Sequence, residues 1–122
     1  MIKVSIDKLY PGFATDELIM VYVFGFERLP LPAVPRFQKP TENGVITADF
    51  VNHYSTDIKA AWDVVKEMSA KGYWCYTGVL SSICYAIFTK ENKIPLEKST
   101  ASTYELPLAI CRAALFALQE AL

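Results

Sequence analysis

The side chains that could recognise a small ligand lie mainly in the second half of the chain. Arg112 is the only charged residue in residues 106–118, which otherwise read as an apolar helix. A guanidinium there could form a two-point contact with a phosphate or a carboxylate. The alternative is a side chain that reaches solvent beside Gln119, which lies seven residues further on and on the same helix face. The sequence leaves both interpretations open.

Aromatic side chains are concentrated on two adjacent predicted strands. They are Trp74, Tyr76, Tyr85 and Phe88. If one face of the sheet is open, these rings could stack on a nucleobase, and otherwise they fill the core against the helices. Lys90 and Asn92 follow in a polar loop, which is a common position for binding residues but is also typical of an ordinary solvated connection.

Residues 29–44 are predicted to form an irregular, proline-rich insert. Pro30, Pro32, Pro35 and Pro40 remove backbone donors and hold the chain extended. Arg36 lies in this insert and is a further candidate for contact with a ligand. The insert is either a loop that covers the domain or an arm that wraps a partner.

The residue pattern does not favour catalysis, a metal or a cofactor. His53 is the only histidine, and the neighbouring Ser55 and Asp57 are better used at the start of a helix. The chain has no glycine-rich phosphate loop, no paired-carboxylate motif and no metal-ligand spacing. Cys75, Cys84 and Cys111 are odd in number and lie in apolar contexts, which predicts buried free thiols in a reducing compartment.

Composition indicates one domain, over residues 1–122. The chain is 52% hydrophobic and carries a formal net charge of −1, so it can build a core but has no basic field for duplex nucleic acid. No run of eighteen apolar residues is free of charge, which predicts no membrane contact. Residues 1–4 lack the features of a signal peptide, so we expect a cytoplasmic protein.

Hydrophobic periodicity and capping residues predict an α+β fold with a small antiparallel sheet and three helices packed on it. The first helix is predicted to start at Thr15-Asp16-Glu17 and to end near Gly25, although residues 18–24 would also suit a strand. The second helix is capped by Ser55 or Thr56. Its predicted buried face consists of Ile58, Ala61, Trp62, Val65 and Met68.

The predicted strands lie before, between and after these helices in the sequence. They are residues 2–6, residues 45–50 and a hairpin of residues 73–77 and 83–89, with its turn at residues 78–82.

The third predicted helix, from residue 106 to the end, has almost no polar face. A helix on the surface of a small domain normally has a solvated stripe, so this one predicts a partner, most simply a second copy of the chain. Ala109, Ala113 and Ala117 are four residues apart and would permit a close approach. We therefore expect a homo-oligomer, either a dimer or a larger assembly.

Residues 54–68 (YSTDIKAAWDVVKEM), followed by a hairpin and residues 106–118 (LPLAICRAALFAL), resemble the phage ABA-sandwich domain family. Residues 11–26 look like the opening helix of that family, whereas the proline-rich insert departs from it. Size and architecture are also similar to phage anti-defence sponges, notably the first Thoeris anti-defence family. No motif carries the ligand residues of those proteins over to this chain.

The resemblance to sponges implies a non-enzymatic viral protein of the host cytoplasm. Such a protein would sequester a cyclic nucleotide immune signal, of the cyclic ADP-ribose type or a cyclic oligonucleotide, without cleaving it. Stacking groups, a few cations and a pocket closed by a second subunit would suffice. The alternative is a phage accessory protein that binds a host protein through the proline-rich insert.

Overall fold

The structure, a computed structural model, describes residues 5–30, 36–90, 100–103 and 105–120. Its helices are a 3-10 turn at Ile6–Lys8, α1 (Phe13–Tyr22), α2 (Ile58–Ala70) and α3 (Leu106–Glu120). Its strands are β1 (Glu27–Arg28), β2 (Phe37–Thr41), β3 (Gly44–Ala48), β4 (Trp74–Leu80), β5 (Ile83–Thr89) and β6 (Thr100–Thr103).

The predicted α+β class with three helices is confirmed, but the strands form two antiparallel sheets rather than one. The first sheet has the order β1-β2-β3 and the second has the order β4-β5-β6. Helix α3 packs against β5 and β6 on one side and against α2 and α1 on the other. The second sheet therefore belongs to the core, whereas the first sheet lies at its margin.

The prediction that residues 29–44 are irregular is wrong for Phe37–Thr41, which form β2, and for Gly44, where β3 begins. The other described residues of this stretch lie outside strands and helices, and residues 31–35 fall outside the described residues. Pro40 is tolerated because it faces Val45 at a position where an antiparallel pair exchanges no hydrogen bonds, one pair away from the Thr41–Gly44 pair that closes the two-residue turn. Strand β1 pairs only with Phe37 and Gln38, so the missing N–H of Pro40 is not needed there either.

The start of the chain also differs from the prediction. Ile6, expected in a strand over residues 2–6, lies in the 3-10 turn, and residues 1–4 are outside the described part. The preference for a helix over residues 18–24 is confirmed as far as Tyr22, where α1 ends. Helix α1 begins at Phe13, two residues before the predicted start. The strand predicted over residues 45–50 is confirmed as β3.

Helix α2 is confirmed, but its cap and its buried face differ from the prediction. Asp57 is the N-cap residue, and its carboxyl accepts a hydrogen bond from the Lys59 N–H at 3.1 Å. The buried residues of α2 are Ala60, Ala61, Val64 and Met68. Ile58 and Trp62, which were expected to be buried, are each 41% exposed. The apolar face of α2 is therefore wider than the part of it that other elements of the chain bury.

Helix α3 is covered by its own chain. Its buried residues include Ala109, Ala113 and Ala117, which were expected to contact a second subunit. The lack of a polar face is therefore explained by a central position between the second sheet and the other two helices. Self-association remains a prediction, but it needs a surface other than this helix.

A buried polar contact joins α1 to the segment that precedes α2. The Asp16 carboxyl accepts hydrogen bonds from the Ser55 N–H at 2.7 Å and from the Ser55 hydroxyl at 2.6 Å, and both residues are buried. The Ser55 Oγ in turn accepts a hydrogen bond from the Gly12 N–H at 2.8 Å. Ser55 therefore does not cap α2, because its side chain is committed to the start of α1.

We expect Asp16→Ala to lower the free energy of unfolding by about 2–3 kcal/mol, because it leaves the buried Ser55 N–H without its acceptor and the Ser55 hydroxyl with only the Gly12 carbonyl, at 3.4 Å. Urea denaturation measures the change. Asp49→Ala is the control, because Asp49 forms only an exposed ion pair with Arg36 at 3.2 Å, and such pairs contribute about 0–1 kcal/mol. Equal losses in the two variants would contradict this role for Asp16.

Candidate functional site

An open groove of about 390 Å³ lies between the second half of α2 and the start of β4. The side of α2 contributes Val65 and Ser69. The chain that leaves α2 contributes Gly72, Tyr73, Trp74 and Cys75. Small-molecule sites in proteins commonly occupy about 300–1,000 Å³, so this groove has the size for one.

The groove exists because the chain reverses sharply after α2. Gly72 has a φ of 95°, a left-handed conformation that glycine adopts without strain. The Tyr73 N–H donates to the Met68 carbonyl at 3.0 Å and the Gly72 N–H donates to the Ser69 carbonyl at 2.9 Å. This is the Schellman ending of a helix, and it turns β4 back alongside α2.

Tyr73 anchors the groove to the core. Its ring is buried, and its hydroxyl donates to the Ala117 carbonyl of α3 at 3.4 Å. Burial raises the pKa of Tyr73 above its usual value of 10.0, so the hydroxyl stays a donor at neutral pH. The groove is therefore held by a contact with the central helix.

An exposed ring and a cation lie next to this anchor. Trp74 is 52% exposed. The Lys90 Nζ lies 5.1 Å from the centre of the Tyr73 ring, within the range of a cation–π contact. Trp74 lines the groove and Lys90 contacts the ring of Tyr73, which also lines it, so these two predicted ligand residues lie at the same end of the second sheet.

The remaining aromatic residues divide between the two faces of the second sheet. Trp74 pairs with Thr89, Tyr76 with Ile87 and Gly78 with Tyr85, and cross-strand pairs share a face. This face, called the outer face below, also carries Leu80 and Ile83, and both are exposed. Phe88 points to the opposite face and is buried, so only three of the four aromatic residues lie on the outer face.

Gly78 lies in β4, not in the turn where the sequence was expected to place it. The turn consists of Ser81 and Ser82, which have φ values of 50° and 68°. A Cβ at Gly78 would lie 2.5 Å from the Tyr85 hydroxyl oxygen, so glycine is needed for the Tyr85 ring to lie across the strand. Tyr85 is consequently half-buried against its own sheet.

The two predicted arginines do not line the groove. The Arg112 Nε donates to the Leu9 carbonyl at 3.1 Å, and its Nη2 donates to the same oxygen. Arg112 therefore binds the segment that follows the 3-10 turn. Arg36 forms an exposed ion pair with Asp49, and Asn92 lies outside the described residues.

The thiols of Cys75 and Cys111 are poor nucleophiles at neutral pH. Burial raises the pKa of Cys75 to about 11, and burial, with the charge of Asp16 as a smaller cause, also raises the pKa of Cys111. In the described part of the chain, no three His, Cys, Asp or Glu residues are placed to hold a metal ion. Nor is any described helix long and apolar enough to cross a membrane.

Sequence reasoning missed Val65, Ser69 and Gly72 as groove residues. Val65 was assigned to the core, and Ser69 carries no periodic signal. Gly72 was the usable indication, because glycine commonly follows the end of a helix and an aromatic strand that starts directly after it must run back along the helix.

Three comparisons with known proteins bear on this fold. No curated protein matches the chain. The chain is similar to a solved phage protein from Bacillus cereus ATCC 14579, with 19% identity and a TM-score of 0.59 over 87% of this chain and 84% of that chain. At this identity the likeness shows the fold alone.

The third comparison is with family models. Residues 23–115 match the Phage ABA sandwich domain. The match includes the proline-rich insert but begins after α1, so the resemblance of residues 11–26 to an opening helix of the family lies outside it. Because the match covers more than half of the chain, the protein belongs to the Phage ABA sandwich domain family, as the sequence resemblance predicted.

Proposed function

We propose that this phage-type protein works by binding and not by catalysis, and that it sequesters a nucleotide-derived signal molecule in the groove between α2 and β4. The candidate ligands are cyclic ADP-ribose isomers and cyclic oligonucleotides. The observation that carries the proposal is a groove lined by the exposed Trp74, which offers a stacking surface, and by Tyr73, whose ring is contacted by the Lys90 ammonium.

The groove suits binding better than bond cleavage. Its lining residues, Val65, Ser69, Gly72, Tyr73, Trp74 and Cys75, include no carboxylate or imidazole. The thiol of Cys75 is protonated at neutral pH because burial raises its pKa. General acid–base catalysis needs a group with a pKa near the working pH within reach of the substrate.

Stacking must supply most of the affinity in this proposal. Arg112 and Arg36 are engaged by Leu9 and Asp49, so the positive charge near the groove comes from lysines, among them Lys90, whose ammonium lies over the Tyr73 ring. A base stacked on an aromatic ring contributes about 1–3 kcal/mol. The base is therefore expected to determine binding more strongly than the phosphates do.

We expect Trp74→Ala to weaken the binding of cyclic ADP-ribose isomers or cyclic dinucleotides roughly 5- to 150-fold, which is the stacking free energy expressed as a ratio. Isothermal titration calorimetry measures the affinities. Lys90→Ala should cause a smaller loss that shrinks as salt concentration rises. Phe50→Ala is the control, because Phe50 is equally accessible but lies in the loop after β3.

Recovery of the intact ligand after denaturation of the complex distinguishes sequestration from cleavage. Failure of every such nucleotide to bind, or equal binding by the wild type and Trp74→Ala, would contradict the proposal.

A second candidate function is the binding of a host protein through the β2–β3 hairpin and the proline-rich segment next to it. The hairpin exposes Val45 and Ile46 by more than half, and Phe50 follows it. Strand β3 has its main contact with β2 alone, so the hairpin projects from the core. Projecting apolar side chains of this kind are typical of protein contact sites.

The charge-introducing double variant Val45→Lys, Ile46→Lys tests this second function. A host protein that the wild type and Trp74→Ala both capture, and that the double variant does not, is the expected result of affinity capture from host lysate. If the double variant captures the host protein as well as the wild type does, the hairpin is not the binding site.

A further inference from the structure

We infer that two copies of the chain pair through the free edge of β4, with the α2 helices of the two copies packed side by side beneath the joined sheets. This pairing does not depend on the nucleotide, and it goes beyond the proposed function. It is carried by two observations, the unpaired edge of β4 and the uncovered apolar stripe of α2.

Among the described strands, β4 is at the edge of the second sheet and pairs on one side only, with β5. Leu80 and Ile83 flank the two-residue turn and therefore form a hydrogen-bonded pair. Hydrogen-bonded and non-hydrogen-bonded pairs alternate along an antiparallel ladder, so Cys75, Thr77 and Val79 are in non-hydrogen-bonded pairs with β5. Their N–H and C=O groups consequently point away from β5. No backbone hydrogen bond among the described residues reaches these groups. They form a template for one more strand.

The β4 edge also lacks the features that keep an edge strand solitary. Its seven residues, Trp74–Leu80, include no charged residue and no proline. Natural edge strands are commonly protected by lysine, proline or a bulge, because an unprotected edge pairs with other chains. An unprotected edge of this length indicates that it is covered in the functional protein.

Helix α2 presents an apolar stripe beside the same edge. Ile58, Trp62 and Val65 lie four and three residues apart, which places them on one helix face. Ile58 and Trp62 are exposed, and Val65 lines the groove that borders β4. The periodic pattern of α2 predicts burial for all three, so the stripe is one that this chain alone does not cover.

A second copy fits both features with one symmetry operation. A two-fold axis at Thr77 pairs Thr77 with its counterpart and Cys75 with Val79 of the other copy, which forms up to about six backbone hydrogen bonds. Helix α2 runs back along β4, so the same axis brings the two Trp62–Val65 regions together. An arbitrary extended peptide could pair with the backbone groups of the β4 edge, but it would not cover the apolar stripe of α2.

The area available is adequate for a dimer. Seven strand residues span roughly 23 Å, and a sheet layer with a helix layer beneath it adds roughly 20 Å of depth. The resulting footprint is on the order of 500 Å², before the exposed outer-face rings are included. This is comparable with the roughly 800 Å² of accessible surface that each partner buries in a stable complex. The second copy would also close the open side of the groove.

Sedimentation equilibrium of the ligand-free protein from about 1 to 200 µM tests the pairing. The wild type should approach twice its monomer mass of 13.7 kDa. Trp62→Lys and Thr77→Pro should each weaken dimerisation at least tenfold, by placing a charge in the helix contact and by removing an outward N–H. The control Ile46→Lys, an equally exposed apolar position on β3, should leave the dimer unchanged.

Trp62→Lys carries the test if circular dichroism shows that Thr77→Pro does not fold, because Trp62 is already exposed in the single chain. A wild type that stays monomeric at 200 µM would overturn the pairing, and so would a dimer that Trp62→Lys leaves intact. Nucleotide binding is measured separately, so either result leaves the groove proposal to its own test.

Discussion

Helix α3 has almost no polar side chain along its length, so it must be surrounded before the chain can form a stable domain. The second sheet covers one side of it and α1 and α2 cover the other. Arg112, the one charged side chain of α3 before its last residue, is accommodated because the Leu9 carbonyl accepts its hydrogen bonds, which also draws the first described residues onto the helix. The Tyr73 hydroxyl adds a further contact at Ala117.

The same constraint determines which surfaces are left uncovered. The inner face of the second sheet packs on α3, and the described residues include no further helix to cover the outer face or the β4 edge. Trp74, Tyr76 and Leu80 consequently remain exposed on one side of β4, and the stripe of Ile58 and Trp62 remains exposed on α2. The groove, the Lys90 ammonium and the β4 edge are therefore neighbours, and the binding and pairing proposals both concern this region.

The parts of the fold with a local signal were predictable from the sequence. Asp57 marks the start of α2, and Gly72 follows its end. Alternating side chains indicate the β4–β5 hairpin, and an apolar run indicates α3. The long-range contacts were not predictable. Asp16 and Ser55 both resemble helix-capping residues, and only tertiary structure shows that they bind each other across 39 positions. Strand β2 was missed because its prolines argue against a strand unless the pairing register is known.

The candidate site was predictable to a similar degree. Trp74 and Lys90 follow from their positions on the hairpin, but Phe88 differs from Tyr76 only in which face of the sheet it occupies. A shift of one residue in register would exchange those roles. Arg112 was misleading, because a lone charge on an apolar helix indicates a polar partner and does not say whether that partner is a ligand or a backbone carbonyl.

The burial of α3 by its own chain is the claim on which the rest depends, and amide hydrogen exchange at several protein concentrations tests it most directly. The amides of α3 should be among the slowest to exchange, and their rates should not change on dilution to the monomer. Protection of Thr77 and its neighbours in β4 should instead decrease on dilution. Fast or dilution-sensitive exchange in α3 would contradict the account, because it would mean that a partner covers this helix.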